Sequence, residues 1–170
     1  MASLMENLLT VLEKENSEYE RLVELSHAKR QVIIDGNVPG LEEITGMEQD
    51  IAGNIKNLEN KRIEVINDMA IVLSKDAKDL TLTNMIAFLS KQPKEPERLR
   101  EIQKKLRDTI ERMDEINRQN DALLQQALEM IEFDLNLFKS MRQAPTTANY
   151  DKHAYNTGDI LSSGGFDAQQ

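Results

Sequence analysis

The chain has 170 residues and a formal net charge of -9, and 30% of its residues are charged whereas 4% are aromatic. This composition is typical of long helices rather than of a globule with an aromatic core, and the negative charge disfavours nucleic acid as a partner. The sequence contains no cysteine, which excludes disulfides, thiol nucleophiles and thiolate metal sites, so a cytoplasmic location is expected.

The N-terminal residues do not have the pattern of a signal peptide. They lack a basic region, and Glu6 interrupts them before any apolar run of sufficient length. Further along, charged residues recur about every helical turn, so no stretch approaches the roughly 18 apolar residues that span a bilayer. We therefore expect neither export through a signal peptide nor insertion into a membrane.

The first two predicted helices, at about 3–35 and 39–73, form a helical hairpin. Each carries apolar residues at steps of three and four. In the first helix, polar residues such as Glu15 and Ser26 occupy some of the positions where this spacing calls for an apolar residue. The Asp35-Gly36-Asn37 turn tolerates positive φ and ends the first helix, and Pro39 suits the first turn of the second.

A short third helix is predicted between Leu80 and Ser90, with Thr81 or Thr83 as its N-cap. Its sequence is nearly all apolar. Such a segment must be buried, so we expect it to close one end of the bundle.

The fourth predicted helix, at about 96–142, is the longest, because no glycine lies between Asn54 and Thr157. At 1.5 Å per residue it is roughly 70 Å long, whereas the second helix covers only about 50 Å. Part of its apolar stripe is therefore expected to extend beyond the length that the second helix can cover. The stripe slips by one residue around Asn120, which turns its distal part toward a different partner. Asn117 and Asn120 lie close to the stripe and are interpreted as hydrogen-bonded structural residues.

The predicted fold class is thus all-α: an elongated antiparallel helical bundle, or coiled-coil hairpins, with a long C-terminal helix and a flexible tail. The predicted domains are a helical bundle at 1–142 and a tail at 143–170.

No pattern for catalysis is found. Glu24 and His27 have the Glu-x-x-His spacing of helix bundles that bind two metal ions. Such a site needs a second Glu-x-x-His pair, but His153 has no Glu three residues before it, so no metal site and no cofactor are predicted. Glycine-rich phosphate loops and nucleophile motifs are also missing, and the carboxylates alternate with Lys and Arg as on a solvated helix face. The chain is therefore not expected to be an enzyme. Its function is expected to lie in binding another protein.

Three stretches carry a resemblance to the FlgN-type flagellar export chaperones: LENKR at 58–62, NRQNDALLQQALEMI at 117–131, and NYDKHAYNTGD at 149–159. The resemblance implies a cytosolic chaperone of the type III export pathway. Such a chaperone binds the hook-filament junction proteins, masks their terminal amphipathic helices and delivers them to components of the export apparatus. The family's substrate contacts lie toward the C-terminus.

The candidate partner-binding residues are accordingly apolar residues of the distal helix and anchors spaced along the tail, which order when a partner binds: Leu124, Leu128, Ile131, Leu135, Phe138, Tyr150, Tyr155, Ile160, Leu161 and Phe166. Two alternatives stay open. The tail could be a frayed terminus, and the whole chain could be a homo-oligomeric coiled-coil scaffold without a client.

Overall fold

A computed structural model describes residues 2–89 and 95–143. It contains four α-helices, α1 (Ala2–Ile34), α2 (Val38–Leu73), α3 (Leu82–Leu89) and α4 (Glu95–Gln143), and a short 3-10 helix at Ala77–Asp79. These described residues include no strand. The predicted all-α class is confirmed, and the four helix boundaries agree with the prediction to within about two residues. The 3-10 helix was not predicted.

By its internal contacts the chain divides into two units, Met1–Leu124 and Gln125–Gln170. Helix α4 contributes residues to both units, and in the second unit its residues 125–143 are the described part. The predicted division into a bundle at 1–142 and a tail at 143–170 stays a prediction.

In the first unit, the hairpin between α1 and α2 follows from a Schellman motif. Gly36 has a φ of +64°, a conformation that glycine adopts at little energetic cost because it has no Cβ. Its N–H donates to the carbonyl of Ile33. Asn37 donates to the carbonyl of Val32, and its side chain then accepts from the N–H of Gly40 as the N-cap of α2. Asn37 therefore provides hydrogen-bond partners both for the C-terminal end of α1 and for the N-terminal end of α2.

The main core of the first unit lies where α3 meets the start of α1, the end of α2 and the start of α4. Its central residues, each at most 1% exposed, are Met5, Leu8, Leu9, Leu12, Met69, Met85 and Leu99. Thr81 Oγ1 accepts from the N–H of Asn84 and is thus the predicted cap of α3. The burial predicted for α3 holds for Met85 and Ile86 but is wrong for Phe88, which is 45% exposed and lies under Lys75 Nζ at 4.8 Å.

Polar contacts give the relative directions of the helices in the first unit. Between α1 and α4, Arg98 donates to Glu6 at 2.8 Å and Thr109 donates to Asn16 at 3.0 Å, so these two helices run parallel. Between α1 and α2, Arg62 pairs with Glu15 and Lys29 pairs with Glu48, which is the antiparallel order of the predicted hairpin.

Asn120 is a buried polar residue near the end of the first unit. It is 2% exposed, its Nδ2 donates to the carbonyl of Ser26 at 2.8 Å, and its Oδ1 has no partner. Asn117 Oδ1 accepts from the Ser26 hydroxyl at 3.0 Å. The predicted structural role of the two asparagines is thereby confirmed, because both connect α4 to one residue of α1.

We expect Asn120→Ala to lower the free energy of unfolding by about 1–2 kcal/mol, because it removes a buried hydrogen bond and leaves a void. Asn120→Leu is expected to stay within about 1 kcal/mol of the parent, because burial of the apolar side chain and removal of the unpaired Oδ1 offset the lost bond. Urea denaturation measures both changes. Equal losses in the two variants would contradict this account of Asn120.

Candidate partner-binding surface

The distal part of α4 exposes apolar side chains along one side. Leu128, Ile131, Leu135 and Phe138, here called the first stripe, are 60%, 56%, 54% and 59% exposed. They follow one another at steps of three, four and three residues, so they share one side of the helix. The fifth predicted helical residue, Leu124, is half-buried and is the last residue of the first unit.

Local sequence explains why this exposed segment is helical. Residues 125–143 contain neither glycine nor proline, and Leu, Met, Gln, Glu and Ala, which favour helix, supply more than half of them. Arg142 in the last turn carries the charge that a helix C-terminus favours, and its guanidinium lies 5.9 Å from the centre of the Phe138 ring. The first stripe is therefore presented on regular secondary structure.

A second row of exposed apolar residues on the same segment was not predicted. Met130, Phe133, Leu137 and Met141, here called the second stripe, are 67%, 66%, 50% and 66% exposed. At about 100° per residue the two stripes are centred roughly 135° apart around the helix axis. These residues also follow one another at steps of three and four, so the sequence carries a signal that could have predicted the second stripe.

The predicted tail anchors Tyr150, Tyr155, Ile160, Leu161 and Phe166 lie outside the described residues. The structure therefore places only the helical half of the predicted surface, and it brings together Leu128, Ile131, Leu135 and Phe138.

A buried carboxylate between α1 and α2 is the main electrostatic feature of the first unit. Glu15 is 1% exposed, and its Oε2 accepts from Arg62 Nη1 at 2.7 Å while its Oε1 has no partner. Burial raises the pKa of Glu15; Arg62 opposes this shift, and Glu59 adds to it. Burial also raises the pKa of Tyr19, again with Glu59 contributing.

The contacts of this cluster fix the register of α1 against its neighbours. Arg62 ties Glu15 to α2 across 47 positions of sequence, and Asn16, the next residue of α1, accepts from Thr109 of α4. Neighbouring polar residues of α1 thus specify the register of α2 and of α4.

In the part of the chain that the structure describes, no three His, Cys, Asp or Glu side chains are grouped so as to hold a metal ion. His27 and Glu24 are both exposed. Among the described helices none is long and apolar enough to cross a membrane.

A helical chain that presents an apolar stripe on a regular, exposed helix has the features of a helix-binding protein. The family model described as FlgN protein matches residues 1–157, so the chain belongs to the FlgN family, as the sequence motifs indicated. This is a family of chaperones rather than enzymes, and membership gives the chain a general role in flagellar export and in binding flagellar proteins. Comparisons with curated proteins and with solved structures found no match.

Proposed function

We propose that the chain binds the hook-filament junction proteins in the cytoplasm, masks their terminal amphipathic helices and delivers them to the flagellar export apparatus. The observation that carries the proposal is the exposure of the first stripe. Its four side chains stand more than half exposed on a helix whose spacing suits an amphipathic partner helix. Membership in the FlgN family supports a flagellar protein as the client.

The size of the first stripe suits temporary binding. Burial of a fully exposed Leu, Ile or Phe side chain contributes roughly 1.5–3 kcal/mol, and these four are 54–60% exposed, so burial of the exposed part contributes about 3–7 kcal/mol in all. Association costs roughly 4–15 kcal/mol in lost freedom of motion, which offsets most of this contribution. A complex of this kind protects the apolar face of a client and still releases it for export.

The tail is the second part of the proposal. Tyr150, Tyr155, Ile160, Leu161 and Phe166 are proposed as anchors that order against the client, and Leu124 as the residue where the binding surface begins. Ordering of a segment on binding offsets part of its contact energy, which again favours release.

The direct experiment mixes the full chain with a peptide from the C-terminal helix of a junction protein. We expect one defined complex in size-exclusion chromatography with light scattering, together with a gain of helical circular dichroism beyond the sum of the two components. An unchanged elution and an unchanged spectrum would contradict the proposal. If the chain then proved to be a stable oligomer, the homo-oligomeric scaffold would be the better account.

A further inference from the structure

The second stripe differs from the first in the charges along its borders. Glu129 lies on one side of it and Asp134 on the other, and both are exposed. Gln125 donates to Glu129 at 3.4 Å, a weak contact that leaves the carboxylate accessible. In residues 125–143 the two basic residues are Lys139 and Arg142, and at about 100° per residue both project on the side of the first stripe.

The borders of the first stripe are of mixed sign. Asp134 lies on one side of it, Lys139 and Glu132 lie on the other, and Arg142 contacts Phe138. A partner of the first stripe therefore meets both charges, whereas a partner of the second stripe meets acidic residues on both sides. Charges that flank a helical interface select the partner and its orientation.

One partner helix does not cover both stripes. A helix that packs against another buries an apolar stripe roughly 100° wide, and the centres of these two stripes are about 135° apart. A partner that covers the first stripe therefore leaves much of the second exposed, including Phe133 and Leu137.

We propose that the second stripe is a separate docking surface for an amphipathic helix of another protein whose apolar face is bordered by Lys or Arg. The four apolar residues of the stripe contact the apolar face of that helix, and Glu129 and Asp134 pair with its basic borders. The distal part of α4 then holds two helices at once, one on each stripe. This inference does not depend on the identity of the junction-protein client.

The test uses two synthetic peptides of about 18 residues, long enough to become helical when bound. Both have the same leucine stripe, which is bordered by Lys in one peptide and by Glu in the other. Fluorescence anisotropy measures their binding to the full chain. We expect the Lys-bordered peptide to bind at least about tenfold more tightly, because the Glu-bordered peptide places like charges opposite each other.

Charge-neutral variants locate the binding. Phe133→Gln with Leu137→Gln is expected to weaken binding of the Lys-bordered peptide at least about tenfold, because two apolar contacts are lost. The matched variant Leu135→Gln with Phe138→Gln is expected to leave it within about threefold, a change smaller than one lost apolar contact gives. The opposite ranking of the two variants, or no binding of the Lys-bordered peptide, would overturn the proposal.

A third variant separates local charge recognition from general attraction to a chain of net charge -9. Glu129→Gln with Asp134→Asn is expected to remove most of the preference for the Lys-bordered peptide. An undiminished preference in this variant would overturn the proposal, because it would show attraction to the whole acidic chain. Failure of this proposal is distinguishable from failure of the proposed function. The synthetic peptides test the second stripe, whereas the junction-protein peptide tests the first stripe.

Discussion

A chain with Leu135→Asp and Phe138→Asp is expected to lose at least about a hundredfold in affinity for the junction-protein peptide. The two substitutions remove two apolar contacts of the first stripe, worth roughly 2–3 kcal/mol together because the side chains are 54% and 59% exposed before binding. They also place carboxylates where a partner would have to desolvate them. A loss of about 2.7 kcal/mol already gives a hundredfold change.

The fold itself is expected to be almost unaffected. Leu135 and Phe138 are 54% and 59% exposed, so the substitutions remove little intramolecular burial. The lower helix propensity of Asp costs only a few tenths of a kcal/mol per site. Far-ultraviolet circular dichroism is therefore expected to remain close to that of the parent, while isothermal titration calorimetry measures the loss of binding.

Asn136→Asp with Ser140→Asp is the matched control for added charge, because both residues lie on the polar side of the same helix. We expect it to change affinity by no more than about threefold, because surface charges there act only over a screened distance. Collapse of the whole fold in the Leu135 and Phe138 variant would show that these residues form intramolecular core. Full affinity with an intact fold would remove the first stripe from the binding surface.

The helices could be predicted because their signals are local. Glycine and proline are absent from most of each helix interior, apolar residues recur at steps of three and four, and the Asp35-Gly36-Asn37 turn contains the residue types that a Schellman motif and an N-cap require. The greater length of α4 than of α2 also predicted that the distal apolar residues of α4 are uncovered. Leu128, Ile131, Leu135 and Phe138 are indeed exposed.

The polar pairs in the bundle could not be predicted in the same way. Glu15 stands at a stripe position of α1, but whether it is solvated or buried depends on Arg62, which lies 47 residues away. Ser26 likewise meets Asn117 and Asn120 across more than 90 residues. Sequence periodicity identifies the face of a helix, whereas the partner across the interface depends on the register of packing. The candidate surface was predicted only in its first stripe, although the second stripe has the same spacing on another side of the helix.

Replacement of Arg62 by Met is expected to lower the free energy of unfolding at neutral pH by about 2–3 kcal/mol. Loss of one partner of a buried ion pair costs about 3–5 kcal/mol, and the lower figure is expected because the Arg62 side chain is 31% exposed. The cost arises at Glu15, whose carboxylate is 1% exposed and whose Oε1 already has no partner. Urea denaturation measures it.

The same variant is expected to respond to pH in a definite direction. The pKa of Glu15 is raised, chiefly by burial, above its ordinary value of 4.5, and Arg62 counteracts that rise. Without Arg62 the pKa rises further, so the folded state holds a proton more tightly than the unfolded state. Stability then falls as pH rises from about 4.5 through the raised pKa, so the difference between the parent and Arg62→Met is expected to shrink in acid.

Two comparisons isolate the buried carboxylate as the cause. Arg21→Met breaks an exposed pair with Glu18, in which the arginine side chain is 58% exposed, and is expected to cost less than about 0.5 kcal/mol. Glu15→Gln added to Arg62→Met removes the titrating group and is expected to abolish the extra pH dependence. If Arg62→Met cost no more than Arg21→Met, or if its pH dependence survived Glu15→Gln, the pair would not hold α1 and α2 together in the way that its geometry indicates.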